Sequence, residues 1–120
     1  MVASGVPTVS ADTLVITTDG GSDSATTIFQ GGDYQFWPGQ NFGGDGLTCM
    51  QGQLRRIATV PAVGGTMSYP TAGAATISVR GGLTAAGGTR YYAARFRNAM
   101  AFCTSNTFNV TQQLAVTWRP

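Results

Sequence analysis

The sequence of 120 residues contains no histidine, no lysine and no glutamate. Its charged side chains are seven arginines and five aspartates, which make up 10% of the chain, whereas an ordinary soluble domain carries about 25%. Enzymes take their general acids and bases, their metal ligands and the groups that activate nucleophiles chiefly from His, Glu, Asp, Lys and Cys. Because this set is nearly empty, the composition argues against an enzyme, and we expect no catalytic residues and no bound cofactor.

Long apolar runs are also missing. No stretch of about 20 apolar residues occurs, so the sequence encodes no helix that spans a membrane. Residues 1–5 do not combine a basic segment with an apolar one, as a secretory signal would. The formal net charge of +2 arises from few charges of either sign. Such a weak field disfavours nucleic acid as a partner.

The length and the apolar content predict one compact domain that spans residues 1–120. A chain of this size is near the usual length of a domain, and 42% of its residues are hydrophobic, which is enough for a core. Cys49 and Cys103 are the only cysteines. In a secreted domain of this size two cysteines usually form one disulfide, and we expect that bond here. Two unpaired core thiols are the alternative.

The hydrophobic pattern predicts an all-β fold. Segments with β-branched residues or period-two alternation recur about every 8–12 residues, and Gly or Pro separates them. Tyr92, Ala94 and Phe96, for example, fall on one face of a strand, and Arg95 and Arg97 fall on the other. The expected strands cover residues 12–18, 26–30, 54–60, 66–69, 75–80, 91–97, 107–111 and 114–118. This spacing indicates an antiparallel β-sandwich or jelly roll of about seven to nine short strands, without helices.

Aromatic side chains are the candidates for a ligand site. Residues 31–46 form a long glycine-rich loop that includes Tyr34 and Trp37, and long loops in compact domains are often functional. The rings of Tyr34, Trp37 and Tyr69 could stack on a sugar, whereas Trp118 is in phase with Leu114 and Val116 and is expected in the core. The alternative is that the loop's rings close one end of the sandwich.

The aspartates suggest at most a structural ion. Asp19 and Asp23 lie in the segment DGGSDS, which offers oxygen ligands of the kind that Ca²⁺ prefers. The spacing matches no specific calcium loop, and the alternative is a turn capped by the two carboxylates. Zinc is not expected, because the chain has no histidine to complete a ligand set.

The arginines raise a second binding hypothesis. If the strands that carry Arg56 and Arg95 were neighbours, these side chains would form a basic stripe beside tyrosines, which is an arrangement used for single-stranded nucleic acid. Arginine also pairs with aspartate and stacks on aromatic rings in ordinary structures, and we expect these structural roles here.

Four segments together resemble a small domain at the C-terminal end of large secreted proteins of planctomycetes and myxobacteria. They are residues 27–31 (TIFQG), 42–49 (FGGDGLTC), 52–57 (GQLRRI) and 89–118, which contains TRYY, FC, TFN and AVTW. As in that family, a Gly-Asp-Gly segment leads to the first cysteine, and a Tyr-Tyr strand precedes the second. The resemblance implies export, a disulfide and a non-catalytic accessory role, and it supplies no catalytic residues.

We therefore expect an extracellular protein whose signal peptide is not part of this chain. Its predicted role is that of a structural or adhesive module at the cell surface, which associates with itself or with another surface protein. Edge strands without Lys or Glu lack a common protection against strand-to-strand pairing, which favours self-assembly. The alternative is a carbohydrate-binding module that uses exposed aromatic residues.

Overall fold

The computed structural model describes residues 1–34, 44, 50–98 and 105–120. The described residues form one short α-helix, α1 (Ile77–Gly81), and ten strands. The strands are β1 (Val2–Ser4), β2 (Val15–Thr18), β3 (Ala25–Gly31), β4 (Asp33–Tyr34), β5 (Met50–Gln51), β6 (Arg55–Pro61), β7 (Met67–Tyr69), β8 (Gly88–Arg97), β9 (Phe108–Val110) and β10 (Leu114–Trp118). Eight of them have three or more residues, and the predicted all-β, sandwich-like fold is confirmed.

Two antiparallel sheets form the fold. The larger sheet has the strand order β10-β8-β3-β6, and β9 continues the edge that β10 occupies beside β8. The smaller sheet has the order β1-β2-β7, and β4 pairs with β5 in a separate two-stranded ribbon. The thinnest dimension of the molecule is 17 Å, which fits two layers about 10 Å apart with their outer side chains.

The core lies between the two sheets and follows the period-two pattern. Ile28 on β3 and Tyr92 on β8 point inward from the large sheet, and Ile16 on β2 and Met67 on β7 point inward from the small one. Trp118 is buried with them, as its phase with Val116 predicts. Alternate residues of β3 and β8 therefore face outward, away from the core.

Residues 75–80 do not form the predicted strand, because Ile77–Gly81 is helical. The alternation placed Ile77 and Val79 on one face, but Ile77 is fully buried and Val79 is 69% exposed. Gly82 ends the helix in the left-handed conformation with φ of +61°, a conformation that glycine adopts without cost. The Gly81-Gly82 pair therefore ends a helix instead of a strand.

The two ends of the chain are joined at one side of the molecule. Thr8 and Arg119 form a parallel bridge. The Val9 N–H donates to the Arg119 carbonyl at 2.9 Å, and the Arg119 N–H donates to the Pro7 carbonyl at 2.9 Å. In the described part of the chain, no helix is long and apolar enough to cross a membrane.

Candidate functional site

An apolar groove lies on the outer face of the large sheet. Phe29 of β3 and Ala93 of β8 are opposite each other on this face, because they alternate with the inward-facing Ile28 and Tyr92. Met50, Leu54, Phe108 and Val110 complete the apolar lining around a volume of about 200 Å³. Phe29 and Phe108 stay half-exposed. We call this feature the outer groove; it continues toward the start of β3 and the end of β8 over a more polar part of about 570 Å³ that Arg56, Arg95 and Arg97 line.

Contacts with β9 and the residue before it hold two of these arginines in place. The Arg95 guanidinium carbon lies 3.7 Å from the centroid of the Phe108 ring, which is a cation–π arrangement. Arg97 donates from Nη1 to Oγ1 of Thr107 at 2.8 Å. The groove therefore combines exposed aromatic surface with positioned positive charge.

Arg56 and Arg95, the residues of the hypothetical basic stripe, lie on one face of the sheet but not on neighbouring strands. The strands of Arg56 and Arg95 are not neighbours, because β3 lies between them. Arg56 is opposite Phe29, and Arg95 is opposite Thr27, so both arginines flank β3 on the same face. The ring between them is that of Phe29, and Phe108 lies on β9 beyond Arg95; the sequence interpretation selected neither phenylalanine. Their only sequence signal was the position of Phe29 out of phase with Ile28.

A second cavity of about 600 Å³ lies where β3, β6, β8 and the end of α1 meet. We call it the arginine cavity, because Arg55, Arg56 and Arg90 line it together with Gln53. Arg90 lies on the same face of β8 as the inward-facing Tyr92, and it pairs with Val116 of β10. Sequence reasoning had no signal for this cavity, because its three arginines come from strands joined only through β3.

A buried chain of hydrogen bonds forms the interior side of the arginine cavity. Trp118 donates from Nε1 to the Tyr92 hydroxyl at 2.9 Å, and this hydroxyl donates to Oε1 of Gln30 at 3.0 Å. Gln30 in turn donates from Nε2 to the Gly81 carbonyl at 3.1 Å. Burial raises the pKa of the Tyr92 hydroxyl above its ordinary value, although the hydrogen bond from Trp118 and the charge of Arg90 act in the opposite direction. Tyr92 therefore remains neutral and able to donate.

The predicted sugar-binding residues do not form one site among the described residues. Tyr69 is buried, and its hydroxyl donates to the Ala75 carbonyl at 2.7 Å, so its ring offers no free face to a ligand. Tyr34 is part of β4 and pairs with Met50 of β5, and its side chain is not described. Trp37 lies outside the described residues. For the glycan hypothesis, the structure removes Tyr69 as a stacking platform.

The two predicted calcium ligands bind neighbouring loop groups. Oδ1 of Asp19 accepts hydrogen bonds from the Gly20 N–H and from Oγ1 of Thr66, both at 2.9 Å. Oδ1 of Asp23 accepts a hydrogen bond from the Gly65 N–H at 2.6 Å. These bonds match the alternative of a turn capped by carboxylates. Within the described ranges, no group of three or more His, Cys, Asp or Glu side chains is placed to hold a metal ion.

Cys49 and Cys103, the predicted disulfide, both lie outside the described residues. In the chain, Cys49 directly precedes β5, and Cys103 falls between β8 and β9. Their pairing stays a prediction.

Comparison with known proteins gives no further guide to the site, because no family model, no curated protein and no solved structure matches this chain.

Proposed function

We propose that this chain is a non-catalytic, extracellular adhesion module that binds another surface protein through the outer groove. The observation that carries the proposal is the half-exposed pair Phe29 and Phe108 beside three arginines on one face of the large sheet. The extracellular assignment rests on the two cysteines and on the resemblance of the chain to domains of secreted proteins.

The composition of the outer groove supports contact with a protein. Aromatic residues, methionine and arginine are enriched at the centres of protein interfaces, and lysine and glutamate are depleted. Apolar surface that stays in water costs about 25 cal/mol per Å² relative to burial. A partner that covers Phe29, Leu54 and Phe108 would gain this energy.

The charge of the groove selects the kind of partner. Arg56, Arg95 and Arg97 line its polar part, so two copies docked face to face would bring like charges together. This repulsion disfavours the self-association that we expected from the sequence, at least through this surface. The proposed partner is therefore a different protein that presents acidic residues beside an apolar one.

A peptide library displayed on phage tests the proposal without assuming which protein is the partner. Selection on the wild-type protein, with counter-selection on Phe29→Ser, should enrich peptides that combine Asp or Glu with an aromatic or leucine residue. Synthetic versions should bind the wild type in fluorescence anisotropy and lose affinity in Phe29→Ser and in Arg95→Gln. Val79→Ser is the matched control, because Val79 is also apolar, 69% exposed and located on α1.

Selected peptides without acidic residues, or equal binding to the wild type and Phe29→Ser, would refute the proposal. Light scattering on the same samples tests the self-association alternative. We expect a monomer, and a dimer that Phe29→Ser abolishes would assign the groove to a second copy instead. Saturable binding to neutral glycans through Phe29 would favour the carbohydrate alternative.

A further inference from the structure

We propose that Arg55, Arg56 and Arg90 form a site for the oxyanion of a small acidic ligand, in the arginine cavity. This site goes beyond the proposed adhesive function, because it lies at the junction of β6, β8 and α1. Among the described residues, Leu54 is the only one that lines both this cavity and the apolar part of the outer groove.

The first argument is the concentration of charge. Three of the seven arginines line one cavity, and no aspartate is among the described residues that line it with them. Like charges that share a cavity repel one another, and a bound anion relieves that repulsion.

The second argument is that one wall of the cavity, formed by Gln30 and the end of α1, is held in place. The exposed Arg55 side chain reaches the end of α1, and its guanidinium lies where a Cβ atom at Gly82 would be. A Cβ atom at Gly81 would likewise collide with the Gln30 carboxamide. Gln30 is itself held from both sides, by Tyr92 and by the Gly81 carbonyl.

These contacts mean that the polar wall around Gln30 is formed before any ligand arrives. A ligand that enters a preformed site does not have to order the side chains behind it, and this lowers the entropic cost of binding. Arg55 and Arg56 are consecutive on β6, and Arg90 enters from the opposite side of β3. The three arginines therefore reach the cavity from two different strands.

The third argument concerns the chemistry of the ligand. The planar donor fork of arginine matches carboxylate, sulfate and phosphate oxygens, often through two hydrogen bonds at once. Gln53 is exposed on the wall and adds a neutral donor and acceptor. The volume of about 600 Å³ is that of a small-molecule site. The geometry suits a free oxyanion or one carried by an acidic sugar.

Isothermal titration calorimetry at low ionic strength tests the site with four probes: sodium sulfate, sodium phosphate, sodium glucuronate and neutral glucose. We expect sulfate or glucuronate to bind and glucose not to bind. Arg55→Gln and Arg90→Gln should each weaken binding about tenfold, since each removes a charge-assisted hydrogen bond. Arg55→Lys keeps the charge without the fork and should have an intermediate affinity.

Arg119→Gln is the matched control, because it makes the same change of net charge at an exposed arginine outside the described lining of the cavity. Its affinity should stay within about twofold of the wild type. An equal loss in Arg119→Gln would mean that only net charge matters, and unchanged binding in Arg55→Gln and Arg90→Gln would mean that the anion binds elsewhere. Either result overturns the proposal, as does the absence of binding by all three anions.

Other comparisons identify the source of the oxyanion and separate this site from the outer groove. Glucuronate that binds more tightly than sulfate assigns the site to an acidic sugar, and the reverse order assigns it to a free inorganic anion; both outcomes support the site. Phe29→Ser should retain anion binding while it loses the selected peptides, and Arg55→Gln should show the opposite pattern. Arg56 is not varied, because it lines both cavities. The two proposals can therefore fail independently.

Discussion

The sequence around Tyr92 predicts only part of its surroundings in the folded protein. The alternating pattern correctly placed it on the inner face of β8 with Ala94. It did not indicate that the hydroxyl would connect Trp118 to Gln30, because these partners are 26 and 62 residues away in the chain. A pattern of hydrophobicity reports which face is buried, but it does not report which polar groups meet there.

Removal of the Tyr92 hydroxyl should destabilise the fold. In Tyr92→Phe, the indole N–H of Trp118 loses its acceptor and Gln30 loses a donor, and both groups stay buried. We expect the free energy of unfolding in urea to fall by about 3 kcal/mol, since each buried unsatisfied group costs about 1–3 kcal/mol. The control is Tyr69→Phe, which leaves one carbonyl without its donor and should cost about 1 kcal/mol. Equal losses in the two variants would contradict the hydrogen-bonded chain.

The same hydroxyl predicts how stability depends on pH. In the unfolded chain Tyr92 ionises near its ordinary pKa of 10.0, whereas burial raises that pKa in the folded protein. Above pH 10 the folded state therefore holds a proton that the unfolded state has lost, so stability falls as the pH rises. Below pH 10 Tyr92 is protonated in both states, so its full contribution to stability is present.

Urea unfolding of the wild type and Tyr92→Phe between pH 8 and 12 measures this effect. Asp12 and Arg90 are the charges that act on Tyr92. The chain has no lysine, and the two proteins differ only at residue 92. The wild type should lose stability more steeply than Tyr92→Phe above pH 10. Parallel curves would show that Tyr92 does not carry the dependence.

Among the secondary-structure elements, α1 is one that the local sequence did not predict, because residues 75–80 were expected to form a strand. Five residues are too few for a helical period to stand out, and Ile77 and Val79 were equally compatible with a strand. The support for the helix comes from far away, because Oδ2 of Asp12 accepts the Ser78 N–H at 2.7 Å across 66 residues. The strands with strong alternation, β8 and β10, were predicted within a few residues.

Asp12 should therefore contribute to the stability of α1 and of the turn before β2. Its other oxygen, Oδ1, accepts the Leu14 N–H at 2.8 Å. Asp12→Ala removes the acceptor of both N–H groups, and we expect the free energy of unfolding to fall by about 2 kcal/mol. Asp12→Asn keeps one acceptor oxygen and should fall between the alanine variant and the wild type. Thermal or urea unfolding of the three proteins measures this series, and an asparagine variant as unstable as the alanine variant would count against it.

For the whole molecule, the regular spacing of strand and turn signals was sufficient to predict an all-β, sandwich-like fold. The outer groove was beyond such an argument. It depends on β3 lying between β6 and β8, and this order of strands follows from pairings that are distant in sequence. The sequence suggested that Arg56 and Arg95 could lie near each other, but only the strand order places Phe29 between them on one face.

The disulfide is a prediction for the whole molecule. The intact mass of the oxidised protein should be lower than that of the reduced protein by two hydrogen atoms, and Cys49 and Cys103 should resist alkylation before reduction. Because the bond would close a loop of 54 residue steps (103 minus 49), its reduction should lower the free energy of unfolding by about 4 kcal/mol. Two freely alkylated thiols in the purified protein would contradict the prediction.

The bridge between Thr8 and Arg119 has an architectural consequence. The first and last segments of the fold meet at one spot, so a host polypeptide can enter and exit there without spanning the molecule. A unit built in this way can be spliced into a surface loop of a larger protein as a side branch. Both connections would then serve as a single tether.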